Sequence, residues 1–193
     1  LQMDLGENEW LSDIKTQTTR LTELSSSLTM LARMDEGADS LNMSEFNISE
    51  LVHEMTESYK ARAILEEKIL KVEILPEINF CGDKKMIEKL LSVILDNAFK
   101  YSSAGGYIDV RCEKTRTQVI VEVVNTTDYI SRDNTKYLFE RFYRIDASRS
   151  SKTGGYGLGL SIARAIVNSH GGEISATTDD EKSLKIQIKL PLK

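Results

Sequence analysis

The chain has 193 residues, 25 Lys plus Arg against 30 Asp plus Glu, and 40% hydrophobic residues. That length allows one ordinary domain and an appendage, with roughly 70% of the unfolded surface buried. A net charge of −5 with 28% charged residues fits a soluble globular protein. It excludes a disordered tail and a general nucleic-acid binder, which is basic as a rule. The longest apolar stretch, Leu90-Leu91-Ser92-Val93-Ile94-Leu95, falls far short of the ~20 residues that span a bilayer. The chain opens on Leu1 without a signal or lipidation pattern, so a piece of a longer protein is expected. Cys81 and Cys112 stand apart from each other and from any His cluster, which points to neither a disulfide scaffold nor a zinc site and fits a reducing compartment.

The spacing predicts a helix over 9–34. Trp10, Ile14, Gln17, Leu21, Leu24, Leu28 and Leu31 step alternately by four and three, the seam of a coiled coil or helical bundle. Gln17 alone is polar in it, either fixing register or merely tolerated. One such helix cannot bury its stripe alone, so a partner from another copy or another segment is expected. Gly37 is a plausible stop. A polar connector with a short strand near Leu41–Phe46 follows, then Asn47-Ile48-Ser49-Glu50 at capping-box spacing. Leu51, Met55, Tyr59 and Ala63 continue at helical intervals. Strand-like stretches at 71–74 and 78–81 flank Pro76. Gly82-Asp83 then opens a helix with Met86, Leu90, Leu91, Ile94, Leu95 and Ala98 on one face, ending at 102–106.

The register then changes from 3.6 to 2 at Ile108, Val110 and Cys112, and again at Val119, Val121 and Val123. A short helix over 135–143, a Ser/Gly/Lys-rich loop, a helix over 158–169 and strands at 173–177 and 184–190 complete the chain. Three helices with a strand-rich remainder give an α+β fold: a two-layer α/β sandwich, its mixed sheet covered by three helices, preceded by a long coiled-coil-type helix.

Three clusters carry chemistry. Asp96-Asn97-Ala98-Phe99-Lys100-Tyr101-Ser102 ends an apolar helix. A carboxamide there offers a neutral oxygen to a hard cation such as Mg²⁺, and Lys100, one turn on, could meet phosphate; a capping Asn and a solvated Lys are the plainer alternative. Phe139-Glu140-Arg141-Phe142-Tyr143-Arg144 alone reads as an amphipathic face. Gly154-Gly155-Tyr156-Gly157-Leu158-Gly159-Leu160 enters a helix, where glycines let the backbone approach an anion and free N–H groups favour it. It has neither the Rossmann nor the Walker A spacing. With Arg141, Arg144, Arg149 and Lys152 before it, it forms a cationic, glycine-rich flap.

In this order the clusters resemble the N-box, F-box and G2-box of sensor histidine kinases, whose ATP-binding (Bergerat) fold is shared with gyrase, Hsp90 and MutL. Asn97–Tyr101 matches Asn-Ala-x-Lys-Tyr and Phe139–Arg144 matches Phe-Glu-Arg-Phe-Tyr-Arg. Gly155–Leu160 matches Gly-x-Gly-Leu-Gly-Leu, and His170-Gly171-Gly172 matches the motif that follows. The resemblance covers essentially the whole chain. It implies the second helix of a dimerisation and phosphotransfer hairpin over 1–36, a linker over 37–44 and the catalytic domain over 45–193.

It also implies ATP and Mg²⁺ as cofactors. Asn97 is then the Mg²⁺ ligand and, with Lys100 and Arg144, part of the catalytic set. Tyr101 lines the nucleotide pocket, and Phe139 and Phe142 pack the base of the lid. Gly155, Gly157, Leu158, Gly159 and Leu160 form the phosphate cradle, and Asn125, Tyr129 and Ile130 fall in the base-binding stretch. The implied partners are a second copy through the N-terminal helix and a response-regulator receiver domain. Nucleic acid is not among them, and a membrane enters only through segments outside this chain, which places this part in the cytoplasm.

Three departures stand beside the match. The family's Asp-x-Gly-x-Gly falls on Asn125-Thr126-Thr127-Asp128-Tyr129. The adenine-reading Asp is thus Asn125, a loss of charge of order 1 kcal/mol. A flipped amide could also donate to guanine O6, so weaker discrimination of adenine from guanine is expected. Val93 stands where a polar residue is usual, which is expected to slow phosphoryl transfer more than it weakens binding, and which speaks against a gyrase-type ATPase. Neither His53 nor His170 lies in a His-Glu-x-x-x-Pro setting, so the phosphoacceptor is expected upstream. The expected function is ATP-dependent phosphorylation of a histidine on the hairpin, relayed to a regulator aspartate. The alternative is a catalytically weak, pseudokinase-like nucleotide-binding or interaction module.

Overall fold

Alternating apolar residues build a five-stranded sheet in the computed structural model, which describes residues 9–35, 41–145 and 156–192. In chain order the elements are α1 (Glu9–Asp35), β1 (Met43–Asn47), α2 (Ile48–Ser58), α3 (Lys60–Leu65), β2 (Ile69–Ile74), β3 (Asn79–Asp83) and α4 (Lys84–Tyr101). They continue with β4 (Tyr107–Lys114), β5 (Gln118–Thr126), α5 (Arg132–Thr135), α6 (Gly159–Ser169), β6 (Glu173–Thr177) and β7 (Ser183–Pro191). The sheet runs β2-β4-β5-β7-β6. β2 is parallel to β4 and the other neighbours are antiparallel, so the sheet is mixed as expected. β1 and β3 form a separate antiparallel ribbon.

The period-2 pattern turns Ile108, Val110, Cys112, Val119, Val121, Val123, Ile186 and Ile188 to one buried face. On that face lie α2, α4 and α6, with α4 packed against both of the others. Local chemistry starts two of these helices. The Asn47 carboxamide accepts from the Glu50 N–H at 3.2 Å, and the Asp83 carboxylate accepts from the Met86 N–H at 3.2 Å; each satisfies an otherwise orphaned first-turn donor. Cys112 lies in this core, and burial pushes its thiol up to about 11, while Cys81 is exposed.

His170, just past α6, ties the layer together. Its Nε2 accepts from the buried Asp83 N–H at 3.0 Å. Nδ1 therefore carries the ring proton and donates to the Ile166 carbonyl at 2.8 Å. His53, by contrast, is exposed on α2 beside Glu57 at 3.6 Å.

The seam on α1 divides. Leu31 is buried, and Leu24, Met30 and Met34 pack against the core, where α1 rests on α6. Trp10, Ile14 and Leu21 remain 77%, 61% and 64% exposed. No described helix is long and apolar enough to cross a membrane.

Two expected helices differ. The run through Leu51–Ala63 breaks at Tyr59, where the hydroxyl donates to Asp96 at 2.9 Å and the ring packs on Phe99, joining this segment to α4. The helix over 135–143 is not formed. Helix α5 ends at Thr135, and separate turns carry the chain on to Tyr143. At Phe142 the backbone is held at φ +64, with its N–H donating to the Gly157 carbonyl at 3.0 Å, so no helix reaches Tyr143. A right-handed helix cannot pass through that conformation.

Candidate functional site

Between α4, the N-terminus of α6 and the end of β5 lies a cleft of about 650 Å³. Helix α4 presents Val93, Asn97, Lys100 and Tyr101 along one wall, one turn apart or nearly so. The opposite wall is Gly157, Leu158, Gly159 and Leu160, and the floor is Asn125 with the 127–130 segment. Tyr143 and Arg144 close the side. The structure thus brings Asn97, Lys100, Tyr101, Asn125, Tyr129, Ile130, Arg144, Gly157, Leu158, Gly159 and Leu160 to one cavity. Gly155 lies outside the described residues.

Close backbone approach explains Gly157, which adopts φ +72 with Phe142 and Tyr143 backbone atoms 2.8–2.9 Å from where a Cβ would be; a Cβ on Gly159 would make only ordinary contact, 3.4 Å from the Val93 side chain. Helix α6 starts without a side-chain cap on its first N–H groups. Such a terminus faces the cleft as a hydrogen-bond donor set with a positive dipole end. Lys100 adds charge: burial, and then the Arg144 guanidinium, hold its ammonium below the usual lysine value of 10.5. Two cations at one end of a cavity make it suited to an anion that neutralises both.

Asn125 differs from the sequence expectation. It is 2% exposed, and its Nδ2 donates to the Thr126 carbonyl at 2.8 Å. The amide orientation is therefore held, with Oδ1 as the acceptor offered to the cleft. The flip that would donate to guanine O6 would set two oxygens against each other at the Thr126 carbonyl. Of the two F-box phenylalanines, Phe139 is buried and Phe142, with its left-handed backbone, is 59% exposed.

Several lining residues were not foreseen. Glu23 and Ser27 of α1, Lys89, Asp96, Tyr143 and Tyr156 reach the same cleft. Tyr156 lies inside the glycine motif and Asp96 beside Asn97, so adjacency could have flagged both. Nothing in the α1 pattern marks Glu23 or Ser27, which reach the cleft only because α1 docks on α6. Asp96 is fixed by Tyr59 and by Arg62 Nη1 at 3.1 Å, and Arg62 also lies 5.1 Å over the Phe99 ring. This cluster holds the last turns of α4 in place.

Residues 82–193 match the family described as histidine kinase-, DNA gyrase B- and HSP90-like ATPase. The sensor protein DltS of Streptococcus agalactiae is 31% identical over 192 residues, covering 100% of this chain and 48% of that protein. The chain thus spans about half the length of the curated relatives it matches. Among solved structures, the Acinetobacter baumannii histidine kinase AdeS superposes with a TM-score of 0.79 at 20% identity, over 97% of this chain and 87% of that one. Histidine kinase ThkA, in complex with the response regulator protein TrrA, gives 0.71 at 24% identity, over 99% and 54%. Fold, motif order and the family match agree, and the chain belongs to the histidine kinase-, DNA gyrase B- and HSP90-like ATPase family.

Proposed function

We propose that the cleft binds ATP with Mg²⁺ and directs the γ-phosphoryl group to a histidine of a dimerisation hairpin. One observation carries the reading: an anion-binding end, made by Lys100, Arg144 and the α6 terminus, shares one cavity with a buried acceptor, Asn125 Oδ1. A nucleoside triphosphate has both complements, a polyanionic tail and, in adenine, an exocyclic amine donor. The domain division at 1–36, 37–44 and 45–193 belongs to this reading.

Asn97 suits Mg²⁺. The described residues hold no cluster of three or more His, Cys, Asp or Glu, and a cation that keeps waters and borrows phosphate oxygens needs only one such neutral oxygen. When bound, Mg²⁺ offsets charge on the phosphate oxygens. Lys100 and Arg144 do the same from the protein side, and the α6 N–H groups orient the tail. In the transfer, an imidazole nitrogen forms the new bond to γ-phosphorus as the bond to the β–γ bridging oxygen breaks and ADP leaves. With Val93 in the α4 wall, no acid stands one turn before Asn97 to activate water, which favours transfer to an acceptor over hydrolysis.

The acceptor histidine lies outside these 193 residues: His170 is committed on both ring nitrogens, and His53 is on α2 and not among the residues lining the cleft. The exposed α1 stripe supports pairing with a second copy, and the ThkA–TrrA complex supports a receiver domain as the final recipient. The domain is placed in the cytoplasm, where ATP is. Radiolabel from [γ-³²P]ATP tests this. The full-length protein acquires label stable to alkali and lost in acid, Asn97→Ala abolishes it, and the 193-residue chain alone takes none. Label of that kind on the isolated chain, or full labelling of Asn97→Ala, contradicts the reading.

A further inference from the structure

At the base end of the cleft stands a side chain that the family pattern lacks. The fifth position of Asp-x-Gly-x-Gly is Tyr129 here, and its ring is 59% exposed while lining the cavity. The backbone that carries it is pinned on both sides. The Thr127 N–H donates to the Lys182 carbonyl at 2.8 Å and the Ile130 N–H to the Glu181 carbonyl at 2.9 Å, with Ile130 buried. Arg132 adds a bond to the Asp179 carbonyl at 2.8 Å. Tyr129 thus projects from a short bridge fastened to the β6–β7 turn.

Tyr101, at the last turn of α4, lines the same cavity and is 44% exposed. Both phenol rings are partly exposed; the Lys100 ammonium lies over the Tyr101 ring, 5.2 Å from its centroid, and the remaining ring surface, close to the held Asn125 amide, is left for a flat heteroaromatic ring to cover. We infer that Tyr129 is a base-stacking residue: in place of the family's glycine it gives a bound nucleotide's base a second aromatic wall besides Tyr101. The inference rests on the nucleotide reading of the cleft. Stacking is tolerant of base identity, so Tyr129 sets affinity for the base while Asn125 sets which base is read.

Calorimetric titration with adenylyl-imidodiphosphate and Mg²⁺ tests this in the parent, Tyr129→Phe, Tyr129→Leu and Tyr129→Gly. Tyr129→Phe binds within about twofold of the parent. Tyr129→Leu and Tyr129→Gly bind about tenfold more weakly, and the guanosine analogue weakens by the same factor. NMR gives a readout that loop rigidity alone would not move. The adenine H2 and H8 resonances shift upfield on binding to the parent and Tyr129→Phe, and less on binding to Tyr129→Leu. If Tyr129→Leu and Tyr129→Gly bind as tightly as the parent or more tightly, the ring is no stacking wall and the inference is overturned. Failure of the parent itself to bind overturns the nucleotide reading, and this inference with it.

Discussion

Replacing Gly157 by Ala perturbs the joint between the cationic side of the cleft and the α6 terminus. Gly157 sits at φ +72, and an added Cβ would meet the Phe142 carbonyl carbon at 2.8 Å and the Tyr143 carbonyl oxygen at 2.9 Å. Both are backbone atoms and cannot swing aside. The left-handed conformation costs Ala about 1 kcal/mol and forced overpacking about 1–3 more. Phe142 is exposed, so the unliganded chain can relieve the clash by giving up the Phe142–Gly157 hydrogen bond, worth about 1 kcal/mol. The strain then falls on nucleotide binding, which needs Tyr143, Arg144, Gly157 and Leu158 in place together. About 2 kcal/mol of strain predicts roughly thirtyfold weaker binding of an ATP analogue, with a melting temperature lowered by only about 2–4 °C. Gly105 is the control: it has φ +72 with nothing within 4 Å of a Cβ. Gly105→Ala loses comparable thermal stability and no affinity. Calorimetry and thermal melts on both variants suffice. Parent-like affinity in Gly157→Ala, or equal losses in the two, would refute the reasoning.

Because the Asn125 amide is held by the Thr126 carbonyl, the guanosine analogue should bind at least about tenfold more weakly than the adenosine analogue; equal binding would show that the amide turns. Lys100 gives a pH signature. Its folded pKa is lowered, so its charged form is penalised by folding and stability rises with pH from that lowered value up to 10.5. A bound polyanion reverses the shift, so binding in that window takes up a proton, seen as a dependence of the binding enthalpy on buffer; Lys100→Met should abolish it, and an unchanged uptake would exclude Lys100 from the anion site. His170→Phe leaves the buried Asp83 N–H without its acceptor and should cost about 1–3 kcal/mol in urea unfolding. His170→Gln, which keeps an acceptor, should cost less, and equal stabilities would deny the bond any weight. Tyr59→Phe removes a donor to the exposed Asp96 carboxylate and should cost about 0.5–1 kcal/mol; an equal loss in an Asp96→Ala background would show the effect does not run through that bond.

Much of this was legible in the residues. The change of period from 3.6 to 2 marked α4 against β4 and β5, because each element buries one face and alternation is how a strand does it. Asn47 and Asp83 announced their helices, since a cap acts over three residues and is written locally. What escaped was set by distant partners. The 135–143 segment has helical composition, yet Phe142 is left-handed and bonds a carbonyl fifteen residues on, at Gly157. The break at Tyr59 answers to Asp96 and Phe99 on another helix. Asn125 read alone is an amide free to flip; its bond to the next residue's carbonyl depends on how β5 leaves the sheet. Glu23 and Ser27 reached the cleft through the docking of α1 on α6, which the seam pattern, divided between the core and an open face, did not disclose.

The central claim is a Mg²⁺-dependent nucleotide site organised around Asn97. Titrating the 193-residue chain with a non-hydrolysable ATP analogue, with and without Mg²⁺ and beside Asn97→Ala, tests it most directly, with thermal melts to confirm that both are folded. The account predicts binding that Mg²⁺ strengthens and that Asn97→Ala loses. A folded chain that leaves the analogue unbound, or one that binds it equally well without Asn97, would contradict it.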